Sequence, residues 1–230
     1  MTTVLITGSN RGIGMEFVKQ YLDRGYSVIA ACRDIDSATE LAEMSKGSAE
    51  LRLLQLDVAS EESMQNFAAA LGNQAIDIFI NNAGVYGPRD SQFGNVTSKG
   101  WIEALQINAV APLLLTQRLI ENLRQGADKK LIYITSKMGS IDDNHGGGAY
   151  VYRSSKTALN QVVKSLSVDL AGDGFITAVL HPGWVRTDMG GPNGLIDAET
   201  SIGGMISVID ELQPQKSGGF YAYDGAEIPW

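Results

Sequence analysis

Tyr152 and Lys156 stand four residues apart in "YRSSK", a spacing that places both side chains on one face of a helix. A free phenol, with a pKa of about 10, is a poor proton donor or acceptor at neutral pH. An ammonium one turn away favours the phenolate and draws that pKa toward the working range. The same pair is also compatible with a solvated helix face. A second constellation lies in "VLITGSNRGIG", residues 4–14, where an apolar run gives way to Gly8, Gly12 and Gly14. Glycine permits positive φ and close approach of a ligand to the main chain. The amphipathic pattern that follows (Met15, Phe17, Val18, Tyr21, Leu22) predicts a helix whose first N–H groups face any anion held by the turn. An ordinary strand-to-helix turn is the alternative.

The elements that must position these residues follow from the apolar runs. Strands are expected at Thr3–Thr7, Ser27–Cys32, Arg52–Asp57, Ile76–Asn81, Lys130–Ser136, Ile176–His181 and Gly219–Tyr223, separated by helix-like stretches. The runs are nearly continuous rather than alternating, as in parallel strands covered on both faces. "SATE" at 37–40 fits a capping box, and Ser60 before Glu61 and Glu62 fits a helix start. Repeated βα units predict an α/β fold: one doubly wound Rossmann domain, a parallel sheet of about seven strands with helices on both faces. That domain is expected to span residues 1–230, with a short substrate lid at residues 189–202.

Composition narrows the partners. A chain of 230 residues, 44% hydrophobic and 19% charged, can bury a continuous core. No apolar run approaches the roughly 20 residues of a membrane span, and nothing near the start reads as a signal peptide. The single cysteine, Cys32, excludes an internal disulfide and fits a reducing cytoplasm, the expected compartment. A net charge of −8 argues against nucleic acid or an anionic membrane as the main partner. Any bound anion must then be held by a local cluster of donors.

In open α/β sheets the ligand sits beyond the carboxyl ends of the strands. The expected ends are Thr7 with the glycine turn, Cys32-Arg33, Asp57-Val58, "NNAG" (81–84), Thr135-Ser136 and "HPG" (181–183), all small, polar or turn-forming. With these motifs the chain resembles the short-chain dehydrogenase/reductase family over essentially its whole length. The T-G-x-x-x-G-x-G turn is matched by Thr7, Gly8, Gly12 and Gly14, and the N-N-A-G motif by Asn81, Asn82, Ala83 and Gly84. The helix asparagine is matched by Asn108, the catalytic serine by Ser136, the Tyr-x-x-x-Lys pair by Tyr152 and Lys156. Pro182, Gly183, Val185 and Thr187 match the segment that faces the nicotinamide. Ser136 lies 16 residues before Tyr152, a longer spacing than most relatives have, and the loop "IDDNHGGG" takes the insertion. Ser140 is the alternative serine. The loop and the "SGGFYAYDG" ending are similar to a C-factor-like, sniffer-type carbonyl reductase branch of the family.

The resemblance implies reversible hydride transfer to a carbonyl. Tyr152 would be the general acid, Ser136 would bind the carbonyl oxygen, Lys156 would tune Tyr152 and bind the nicotinamide ribose, and Asn108 would hold a water linking Lys156 to solvent. The cofactor would lie along Gly8, Ser9, Asn10, Arg11, Gly12, Ile13, Gly14, Arg33, Asp57, Val58, Asn81, Ala83 and Gly84. NAD-using relatives carry an acid at the end of the second strand, where Cys32 and Arg33 stand here. Arg33, with Arg11 from the glycine turn, suits the 2′-phosphate of NADP(H) over NAD(H), unless both are plain surface arginines or Asp34 blunts Arg33. Ser136, Met138, Trp184 and Met189, with Tyr86 beside them, would line an apolar substrate pocket. His145 beside Asp142 and Asp143 reads as pocket rim rather than metal site, and no metal is expected. Pro112 in "WIEALQINAVAPLLLTQRLI" marks a kink. The apolar circumference of that stretch predicts burial on two sides, the second being another subunit of a homodimer or homotetramer. Two other functions share these features: a dinucleotide-binding signalling protein with little turnover, and a nucleotide-sugar epimerase, which usually carries a longer substrate domain.

Overall fold

The computed structural model describes residues 1–230. Seven parallel strands form one sheet in the order β3-β2-β1-β4-β5-β6-β7. They are β1 (Thr3–Thr7), β2 (Ser27–Cys32), β3 (Leu51–Gln55), β4 (Ile78–Asn81), β5 (Lys130–Ile134), β6 (Ile176–His181) and β7 (Gly219–Ala222). One face buries Val4, Ile6, Ala30 and Ile80 under α1 (Gly12–Asp23), α2 (Thr39–Gly47) and α8 (Ala198–Glu211). The other buries Leu5, Phe79 and Tyr133 under α3 (Glu61–Leu71), α5 (Ala111–Arg118), α6 (Ile120–Arg124) and α7 (Tyr150–Asp169). Alternate strand residues feed opposite cores, so both sides of nearly every strand must be apolar, and the continuous runs follow.

Several boundaries differ from the sequence expectation, some for a local reason. β3 ends at Gln55, because the Asp57 N–H turns to the Ser63 hydroxyl of α3 (2.8 Å). β5 ends at Ile134 and β7 at Ala222, while β4 begins only at Ile78 after the Ile76 N–H bonds the Asn122 carbonyl. Ser60 caps α3 by accepting from the Ser63 N–H (3.1 Å), as expected. Ser37 does not cap α2. The Asp34 carboxylate accepts from the N–H groups of Asp36 and Ser37, and this competing turn delays the helix to Thr39. The stretch around Pro112 divides into α4 (Ser98–Leu105), a π-helical turn (Gln106–Val110), α5 and α6. Pro112 has no N–H for the carbonyl four residues earlier, that of Asn108, and the wider turn falls at this break. Trp101 bonds Ser154 of α7 through its indole N–H (2.7 Å), whereas Ile102 and Val110 remain exposed. Residues 189–197 fold back on 184–187 through bridges Val185–Ile196 and Thr187–Gly191, and 198–202 are already helix α8, capped by Asp197. No helix is long and apolar enough to cross a membrane.

Candidate active site

β1 delivers Thr7 and the glycine turn to the middle of the sheet, beside β4. Ser9 is anchored to the Ala31 carbonyl by its N–H and hydroxyl (3.2 and 3.0 Å). The next five N–H groups, those of Asn10, Arg11, Gly12, Ile13 and Gly14, donate to no group of the protein. Helices α3, α4 and α8 have a side chain accepting at their N-cap, but α1 has neither a side-chain cap nor an acid in its first turn. At Gly12 (φ +56°) a Cβ would meet only the Thr187 side chain, at 3.6 Å, so the surface above it is open. A Cβ on Gly14 would run into the Gly8 carbonyl and approach the Asn82 amide to 2.6 Å. The turn is thus closed below, open above, and lined with free donors, which fits a pyrophosphate.

Asn82 and Thr7 join β4 to this turn. The Asn82 side-chain amide donates to the carbonyls of Thr7 and Gly8 (2.9 and 3.0 Å), and the Thr7 hydroxyl accepts from the N–H groups of Asn82 and Ala83 (both 3.0 Å). Asn81 is buried at the strand end. Asn108, carried on the π-helical turn, uses its amide to accept from the Val85 N–H and donate to the Val85 carbonyl (2.8 Å each) and the Ser155 hydroxyl (2.9 Å). It clamps the β4 loop to α7. Gly84 lies against the same group: a Cβ there would sit 3.1 Å from Asn108 Oδ1 and 3.4 Å from Lys156 Nζ.

Helix α7 brings Tyr152 and Lys156 together, both buried. Lys156 Nζ donates to the Ile134 carbonyl (2.9 Å) and lies 5.9 Å from the Tyr152 ring centroid. The electrostatics run against the spacing argument. Burial pushes the Tyr152 phenol up to about 12, with the neighbouring Ser136 hydroxyl offsetting part of the rise, and burial lowers Lys156 to about 8. Desolvation is the largest cause of both shifts. Ser136 is buried and accepts from the Met138 N–H (3.1 Å). Ser140 is engaged elsewhere, with the Trp230 carbonyl and the Asp143 N–H.

Toward the cofactor side, Arg33 is exposed at the end of β2 without an ion pair, since the Asp34 carboxylate serves its own turn. Arg11 points the other way, to Asp188 (3.3 Å) in the loop after β6. Asp57 and Val58 are half-buried beyond β3. The Pro182 carbonyl accepts from Ser201 of α8, Val185 is buried, and Thr187 accepts from the Gly190 N–H while facing Gly12. Gly183 takes positive φ between Ile196 and Tyr223. Of the expected pocket residues, Met138 is half-buried, Trp184 and Met189 are exposed, and the Trp184 indole is tied to the Gly190 carbonyl (2.7 Å). His145 is exposed, and Asp143 pairs with Lys137 (3.2 Å).

A model of the short chain dehydrogenase family matches residues 2–194. The chain belongs to that family. Among curated proteins, this dehydrogenase is 47% identical to C-signal of Myxococcus xanthus over 167 residues, covering 73% of this chain and all of that protein. Among solved structures, the carbonyl reductase Sniffer of D. melanogaster superposes with a TM-score of 0.94 at 34% identity, each chain covered completely. An NADPH-bound carbonyl reductase from chicken fatty liver gives the same TM-score and identity, over 100% of this chain and 99% of that one. Ser155 and Arg89 also make contacts here without having been singled out by the motifs. Ser155 stands inside "YRSSK", so its neighbours were a signal, and Asn82 belongs to the N-N-A-G motif itself. Tyr86, expected beside the pocket, stacks on Tyr152, and the reach of Arg89 to the Asp188 carbonyl is a long-range contact with no sequence signature.

Proposed function

We propose that this dehydrogenase is an NADPH-dependent carbonyl reductase, reducing an aldehyde or ketone and, in reverse, oxidising an alcohol. The observation that supports it most is the convergence of Tyr152, Ser136 and Lys156 beside an open glycine turn with five unpartnered N–H groups. When bound, a nicotinamide dinucleotide supplies the hydride. The turn residues 8–14 hold its pyrophosphate, Arg33 its 2′-phosphate, and Asp57, Val58, Asn81, Ala83, Gly84, Pro182, Gly183, Val185 and Thr187 the remainder. Ser136 orients the carbonyl oxygen, and Tyr152 gives that oxygen its proton. With a pKa raised to about 12, the phenol is fully protonated at neutral pH, the donor form that reduction requires. Alcohol oxidation needs the phenolate and should therefore accelerate as pH rises. Residues 189–197, folded on the loop after β6, serve as the substrate lid in this reading, with Met138, Trp184 and Met189 as its apolar lining.

The likeness to a protein named C-signal favours a second reading, a dinucleotide-binding signalling protein. A screen of NADPH oxidation across aldehydes, ketones, ketoesters and quinones separates the two, together with dissociation constants for NADPH and NADH. Tyr152→Phe removes one oxygen and keeps the ring, so it should lower carbonyl reduction by about 10²–10⁴-fold while NADPH affinity stays within about tenfold. Undiminished reduction by that variant would reject the catalytic assignment and leave a binding fold.

A further inference from the structure

Tyr86 follows Val85 on the β4 loop, and its ring stacks on that of Tyr152, with centroids 4.5 Å apart and planes inclined by 23°. The backbone on both sides fixes it there. Val85 is bonded through its N–H and its carbonyl to the Asn108 amide, 2.8 Å each. Gly87, at φ +77°, lies so close to α7 that a Cβ would come within 2.9 Å of Val151 Cγ1. Arg89 adds a third hold: its guanidinium is 5.9 Å from the Tyr86 centroid and donates to the Asp188 carbonyl (3.3 Å). A stacked pair of this kind, held by its backbone and by a cation, is a rigid surface rather than a gate.

We propose that Tyr86 is a specificity-determining residue: a fixed aromatic wall over one face of the Tyr152 phenol that restricts reduction to carbonyl compounds with a flat or small substituent on that side. The proposal rests on Tyr152 being the proton donor. A carbonyl oxygen must come within hydrogen-bond distance of the phenol, and the substituent on that side then meets the Tyr86 ring, whose face toward the phenol is already covered by Tyr152. A hydrogen or a flat aryl group is the smaller obstacle beside that ring, and a carbon branched next to the carbonyl is the larger. The same ring shields the phenol from water.

Two readings on Tyr86→Ala and Tyr86→Phe test this. The first is the ratio of kcat/KM for diisopropyl ketone to that for benzaldehyde. It should rise by about tenfold in the alanine variant and stay within about twofold in the phenylalanine variant, which keeps the wall. The second needs no cofactor or turnover: nitration of Tyr152 by tetranitromethane, followed by peptide mass, should be about tenfold faster in the alanine variant only. Arg89→Ala, an exposed change that spares the core, should move both readings in the same direction by about threefold, and it carries the test if Tyr86→Ala does not fold. Reduction with an unmoved ratio, or a phenylalanine variant that behaves like alanine, overturns the wall; unchanged nitration overturns the shielding. A wild type that reduces neither compound overturns the reductase reading instead, and nitration still reports on the stack.

Discussion

Lys156 sits 5% exposed with one hydrogen bond, to a carbonyl, and no carboxylate partner. Its pKa falls from 10.5 to about 8, and the sign of the consequence is fixed. Below pH 8 both folded and unfolded chains carry the proton, and the folded one bears the full penalty of a buried ammonium, about 3 kcal/mol at ~1.4 kcal/mol per pKa unit. Between pH 8 and 10.5 the unfolded chain still binds the proton and the folded one has released it, so stability rises with pH. Lys156→Met removes the charge and forfeits one hydrogen bond. The cofactor-free variant should be more stable than wild type at pH 7 by about 2 kcal/mol, and the advantage should vanish by about pH 10. Urea melts of both proteins at the two pH values check this; a variant less stable at pH 7 would mean that the ammonium is well solvated. The spacing of Tyr152 and Lys156 was enough to bring them together but not to give the direction of the phenol's shift. Neighbourhood is written in the spacing of four, whereas burial depends on β5, the β4 loop and Asn108, none of them local.

Gly12 and Gly14 share one turn and do different things in it. Gly14 packs against the turn that follows β1, and a Cβ there collides with the Gly8 carbonyl. Gly12 faces outward at positive φ, with only Thr187 near. Gly14→Ala should therefore destabilise the protein by about 1–3 kcal/mol as an overpacked site does. Gly12→Ala should lose about 1–2 kcal/mol from its backbone conformation alone, yet lose more NADPH affinity, because the methyl enters the open side. Denaturation midpoints and cofactor titrations on the pair check the division; equal effects of both variants on both measurements would refute it. The turn was legible in the sequence because glycine is required there by geometry, and the strands because two-sided burial demands continuous apolar runs. The start of α2 was not, since Asp34 offers the backbone a competing turn that composition alone cannot rank. Nor was the π-helical turn. Pro112 marks a break, but whether the helix answers with a kink or a wider turn depends on Asn108 having Val85 and Ser155 to hold.

The strand order β3-β2-β1-β4-β5-β6-β7 divides the sheet into an early half and a late half that meet only between β1 and β4. The proposed site lies on that seam: Gly8–Gly14 and Arg33 come from one side, Ser136, Tyr152, Lys156 and Thr187 from the other. Within the sheet, three register pairs, Val4–Ile78, Leu5–Phe79 and Ile6–Ile80, join the halves, and Asn82 closes the end by bonding the carbonyls of Thr7 and Gly8; over one face α1 packs on α8, where Arg24 pairs with Asp210 and Gln20 donates to the Glu199 carbonyl. Those partners are more than 70 residues apart in the chain, and every pairing in the sheet is parallel. Contacts of that range are slow to find. The seam thus sets a clock as well as a place. When the protein refolds from denaturant, helical signal should return first and NADPH binding only with the slowest phase, because half a sheet has half a cradle. Stopped-flow ellipticity beside NADPH fluorescence would time the two, and binding that returned with the first helices would mean the glycine turn works without its partner half. A cell making this chain on a ribosome faces the same order of events: the glycine turn emerges early and waits for β4, and a dinucleotide held as proposed finds no complete cradle until the late half has arrived.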